Sequence, residues 1–170
     1  FAFYTMTFGV TLGIAFSANL MTLYIFYELL TLITVPLVMH KMDAVSRDAA
    51  RKYMVYSITG AAFAFIGFIF ILTYGSSIDF TLGGVISQTA MSEHRNILLL
   101  GYVFAFMGFG VKAAVVPLCG WLPKASVAPT PVTALLHAVA VVKSGAFAII
   151  RVTFYSYGAD NIRGTVVQYI

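Results

Sequence analysis

The sequence predicts an all-α polytopic membrane protein with about five transmembrane helices, one of them broken. Three observations carry that expectation. Hydrophobic residues make up 61% of the 170-residue chain and charged residues only 9%, against about 25% charged in a typical soluble domain. Several stretches reach the roughly 20 apolar residues needed to cross the hydrocarbon core. Between two of them lie Pro123, Pro129 and Pro131, so residues 121–131 cannot be one continuous helix.

The elements follow in order. A first, short span covers about 1–17. The second, about 20–39, carries Glu28 near its middle. A polar stretch, 40–52, pairs Asp43 with Arg47 and Asp48 with Lys52 at i, i+4, which suits a helical turn at the interface. The third span, about 53–74, offers Gly60, Ala64 and Gly67 for close helix approach. A mixed loop, 75–95, contains Gly83 and Gly84. The fourth span starts near Asn96 and carries Gly108, Gly110 and Lys112 before Pro117. The fifth, about 133–155, carries His137 and Lys143. At 168–170 a new apolar stretch begins, and Phe1 opens on an apolar run with no positive region before it. Both ends read as cuts within a longer protein.

Lys41, Arg47, Arg51 and Lys52 concentrate in the loop after the second span, whereas the loop after the third holds only Arg95. This bias puts residues 40–52 on the cytoplasmic side. The expected setting is a bacterial or archaeal cell membrane, or an organellar inner membrane. The net charge of +4 is spread over loops and spans and forms no basic face, so nucleic acid is not an expected partner. A single Cys119 excludes an internal disulfide and a cysteine-based metal site. No His/Cys cluster, glycine-rich phosphate loop or nucleophile–base pair is visible, so no cofactor and no metal are expected.

Candidate chemistry rests on Glu28, Lys112 and Lys143. An ionised group near the bilayer centre costs several kcal/mol unless it is paired, hydrated or turned into the protein. Glu28 is a functional candidate by that argument, with a structural ion pair as the bland alternative. Pro117 displaces the carbonyl of Ala113, so the helix should break just after Lys112. Broken helices build ion sites at the membrane midplane, and desolvated lysines change protonation state readily. Lys143 lies about ten residues from either end of its span, too deep to snorkel easily, with Ser144 and Gly145 leaving room for water. His137 precedes it by six residues, about 240° around an ideal helix. A relay between them would need a bridging water; a packing role for His137 is the alternative.

The runs 111–123 (VKAAVVPLCGWLP), 128–137 (APTPVTALLH) and 142–151 (VKSGAFAIIR), with Tyr27-Glu28-Leu29-Leu30 upstream, resemble the proton-translocating module of antiporter-like subunits. Such subunits occur in respiratory complex I, Mrp-type cation/proton antiporters and membrane-bound hydrogenases. The resemblance covers nearly the whole chain, with motifs in the family's order. It implies one half of an inverted-repeat antiporter-like fold: residues 1–160 as the first five-helix repeat and 161–170 as the start of the next helix. It implies Glu28 and Lys112 as a switching ion pair, Lys143 as the central relay lysine and His137 as a relay histidine. Other hydrophobic membrane subunits, the lipid bilayer, and protons or Na⁺ are the implied partners. The implied function is proton translocation in a redox-driven complex I-type or hydrogenase-type assembly, the subunit having no redox site of its own. The alternative is a component of an Mrp-type Na⁺/H⁺ antiporter. Lys124 departs from the family pattern, which more often has an acidic or small residue after Trp-Leu-Pro.

Overall fold

Helix caps set where the apolar stretches begin. The side chain of Asn19 accepts the Thr22 N–H at 2.8 Å, which starts α2 (Leu20–Val38). Asp43 accepts the Ser46 N–H at 2.7 Å and starts α3 (Ala44–Tyr74). Ser46 stands beside that carboxylate and holds Asp43 below the usual carboxylate range. The cap extends the third helix by nine residues ahead of its apolar stretch, so the polar segment expected as a separate interfacial turn is its first two turns.

The computed structural model describes residues 1–169. Before α2 comes the short apolar α1 (Ala2–Ala15). After α3, the loop 75–95 folds over one end of the bundle through isolated bridges Gly75–Ile86 and Asn19–Asp79. It also forms α4 (Gln88–Glu93), an element hydropathy does not announce. The next helix, α5, runs Arg95–Lys112. A 3-10 turn (Leu118–Gly120) leads to α6 (Trp121–Ala125) and then α7 (Thr130–Ala134). A π-turn (Leu135–Val139), α8 (Val141–Arg151) and a second π-turn (Val152–Tyr157) continue from α7 as one span, Thr130–Tyr157. The short α9 (Ala159–Ile162) and a 3-10 turn (Val166–Tyr169) end the described chain. Ile170, the last residue of the stretch expected to open a further span, lies outside the described residues.

Among the described residues four helices are long and apolar enough to cross a membrane, with α1 as a shorter apolar helix. Leu32, Val55, Ile58 and Leu72 stand exposed on α2 and α3, as lipid-facing side chains should. The centre of the bundle is the seam between α3 and α5. A Cβ on Gly60 would lie 2.8 Å from Val111 and 2.9 Å from the Gly108 carbonyl, and one on Gly108 would strike the Ala64 backbone. Only glycine lets these backbones touch.

Candidate functional site

The helix break forms where proline requires it. α5 ends at Lys112, five residues before Pro117, which follows a cis peptide bond. Ala114 takes a left-handed backbone (φ 56°), a conformation that costs an L-residue roughly 1–2 kcal/mol. The carbonyls at the end of α5 gain partners from elsewhere in the chain. Trp121 Nε1 donates to the Val111 carbonyl at 2.7 Å. The Tyr27 hydroxyl lies 3.3 Å from the Gly108 carbonyl and 3.4 Å from that of Phe109. These contacts meet the demand that backbone polar groups at membrane depth be satisfied by protein.

Lys112 is fully buried. Its ammonium donates to the Tyr27 carbonyl and stands 3.5 Å from the centroid of the Tyr27 ring. Phe109 meets that ring edge-on at 4.9 Å. Tyr27 is thus a platform for Lys112, and Glu28 is the next residue along the same helix. Glu28 is half-buried, within electrostatic reach of Lys112, and its buried Oε1 has no hydrogen-bond partner among the described residues. Sequence reasoning marked Glu28 and Lys112 but missed Tyr27 as what seats the lysine, because tyrosines in spans look alike as packing residues.

Around this pair lie further buried hydroxyls. Thr31 and Ser144 have side-chain oxygens without partners among the described residues. Thr34 Oγ1 and the Tyr53 hydroxyl are 2.8 Å apart, and the Tyr53 ring packs against Trp121 at 5.0 Å.

Lys143 is placed differently. It is exposed on α8 and borders a cavity of about 270 Å³ with Thr11, Ile14, Ala15 and Phe147. Ser144, beside it, is buried. A Cβ on Gly145 would strike the Ala113 backbone N–H and lie 2.8 Å from the Lys112 carbonyl carbon. Gly145 therefore lets α8 rest directly on the break in α5. His137 is half-buried in the first π-turn, with Nε2 3.2 Å from Ser126 Oγ. That π-turn makes the rotation from His137 to Lys143 uneven, so an ideal-helix angle does not describe it. The structure seats Lys112 on Tyr27, the residue before Glu28, and sets His137 against Ser126.

Lys124, the departure noted in the sequence, is exposed on α6 beside Lys52. That neighbour, as a hydrogen-bond contact and as a like charge, holds Lys124 below the ordinary lysine value. Among the described residues no cluster of His, Cys, Asp or Glu suits a metal ion.

Residues 17–169 match the family model described as NADH:quinone oxidoreductase/Mrp antiporter, TM. The chain belongs to this family. Among curated members of the NADH:quinone oxidoreductase/Mrp antiporter family it is 34% identical to the Na(+)/H(+) antiporter subunit A1 of Staphylococcus haemolyticus, over 85% of this chain and 18% of that protein. It is 35% identical to NAD(P)H-quinone oxidoreductase chain 5 of Picosynechococcus sp., over 82% of this chain and 22% of that one. The chain thus spans about a fifth of the length of these relatives. Two solved structures share its fold at 22% identity. One belongs to a membrane-bound sulfane sulfur reductase, an archaeal respiratory complex (TM-score 0.78; 88% of this chain, 30% of that one). The other is the Mrp complex of Dietzia sp. DQ12-45-1b (TM-score 0.71; 86% and 27%).

Proposed function

We propose that this chain is the proton-translocating core of an antiporter-like membrane subunit within a redox-driven assembly of complex I or hydrogenase type. One observation carries the proposal: a fully buried lysine at a helix break, seated on the residue that precedes an intramembrane glutamate. Lys112 and Glu28 form a charge pair whose closeness stabilises both ions, because Coulomb energies grow as the effective dielectric falls. Separating them leaves each ion to bear its own desolvation cost, which favours handing a proton on. Lys143, on the helix that rests against the break through Gly145, takes up or gives the proton. His137 with Ser126 serves that step through water. Residues 1–160 act as one repeat unit, loop 40–52 faces the cytoplasm, and other hydrophobic subunits supply the driving change.

A second reading is favoured by the name of the Staphylococcus haemolyticus relative, a Na(+)/H(+) antiporter subunit: a component of an Mrp-type antiporter without a redox partner. The full-length subunit in its native complex, reconstituted in vesicles, tests both. Lys143→Ala and Glu28→Gln should each cut proton flux at least tenfold with assembly intact. Normal flux in Lys143→Ala would remove the relay role. Flux driven by an imposed Na⁺ gradient with no electron donor would replace the redox reading by the antiporter one.

A further inference from the structure

A file of hydroxyl groups lies between α2 and α3, apart from Lys143 and His137. On α2, Thr31 and Thr34 stand at i, i+3 on one buried face. On α3, Tyr53 and Ser57 stand at i, i+4 and are buried to within 2%. Thr34 Oγ1 lies 2.7 Å from the Leu30 carbonyl and 2.8 Å from the Tyr53 hydroxyl, a contact in which either hydroxyl can donate. Among the described residues Thr31 carries a buried oxygen with no partner, as does Glu28, while Ser57 stands within hydrogen-bonding influence of Tyr53. Leaving Thr31 or Glu28 orphaned costs about 1–3 kcal/mol, and bridging water is the usual remedy where several polar groups converge. At 1.5 Å of rise per residue, Thr34 lies about 9 Å along α2 from Glu28 and about 6 Å from the helix end at Val38. The file therefore reaches from the charged pair most of the way to the polar end of α2. At that end Tyr53 is covered by Trp121, and Lys52, next to Tyr53, meets Lys124 of α6 outside.

We propose that Thr34 and Tyr53 form a hydroxyl gate through which protons pass between the α2–α3 loop end and Glu28, as a branch separate from Lys143. The proposal rests on the proton-translocating reading above. Each hydroxyl accepts a proton on one side and releases its own on the other, so neither carries net charge after the step. The proton arrives from water at the loop end and finishes on Glu28 or Lys112. Rotation of the Thr34 hydroxyl away from the Leu30 carbonyl is the gating motion.

The test uses the full-length subunit in its native complex in vesicles, with flux read by an internal pH dye and normalised to folded complex. Tyr53→Phe keeps the ring against Trp121 and removes only the hydroxyl. Thr34→Val removes the second hydroxyl and Thr34→Ser retains it. The gate requires that Tyr53→Phe and Thr34→Val each lower flux at least fivefold and that Thr34→Ser stay within twofold of the parent. Equal normalised flux in Thr34→Val and Thr34→Ser overturns it, leaving the hydroxyl pair as a helix lock seen only in melting temperature. The threonine comparison decides the matter even where Tyr53→Phe fails to assemble. Lys143→Ala, run alongside, reports on the parent reading: loss of flux there with normal flux in Thr34→Val rejects the gate alone, and normal flux there rejects the Lys143 relay whatever the gate variants do.

Discussion

The Lys112 ammonium sits 3.5 Å from the ring centroid of Tyr27 and donates a hydrogen bond to the same residue's carbonyl. One residue of α2 thus supplies both a π-face and a lone pair to the buried cation at the end of α5.

Separating those two contributions gives the first prediction. Tyr27→Phe keeps ring and carbonyl and loses only the weak contacts to the Gly108 and Phe109 carbonyls, so it should cost about 1 kcal/mol and leave proton flux near normal. Tyr27→Leu removes the π-face, worth about 2 kcal/mol to a desolvated cation, and should cut flux severalfold. Chemical unfolding and vesicle flux measured side by side check this. Equal flux in the two variants would mean that the ring has no part in holding Lys112.

The spans and the break were legible because each has a direct physical signature. Apolar length marks a span, and Pro117 removes a donor and displaces a carbonyl wherever it falls. The burial of Lys112 at the break was legible for the same reason, since a lysine stands out against apolar surroundings. The π-turns at Leu135–Val139 and Val152–Tyr157 were not; one extra residue in a turn leaves no compositional trace. Nor was α3's early start at Ala44, where the Asp43 cap overrides the polarity of the residues after it. The Thr34–Tyr53 contact joins residues whose types are common in spans, and only tertiary packing pairs them.

Gly145 carries the second prediction. An added methyl would strike the Ala113 backbone N–H and press on Lys112. Backbone cannot move aside as a flexible side chain can, and overpacking of this kind costs about 1–3 kcal/mol. Gly145→Ala should lower the melting temperature of the detergent-solubilised complex and reduce flux. Gly9→Ala, at a position with open space, serves as the control and should leave flux unchanged and the melting temperature no lower than the parent's. An unshifted melting temperature in Gly145→Ala would show that α8 does not bear on the break.

The third prediction concerns pH. Lys52 holds Lys124 below the ordinary lysine value, near 10.4, so the neutral amine is more abundant than normal at moderately alkaline pH. Lys52→Gln removes the neighbouring charge and should move the titration up. Acylation of Lys124 as a function of pH, read by mass spectrometry, should shift to higher pH in the variant; an unchanged profile would show that the two side chains do not interact. Between the lowered and ordinary values the unfolded chain binds the extra proton. Through this group, stability should therefore rise with pH across that window and level off above it.

The glycine contacts along α3, α5 and α8 bear on any attempt to make this bundle sturdier. Replacing helical glycine with alanine is a common route to thermostability, gaining about 0.5–1 kcal/mol per site. Here Gly60, Gly67, Gly108 and Gly145 are closed to it, since each would drive a methyl into a neighbouring helix. Within the helices only positions such as Gly9, with nothing near, or Gly110, whose nearest neighbour would be Val115 at 3.6 Å, remain open. Protein engineers seeking a hardier variant must look away from these glycine contacts, because there the backbones already touch.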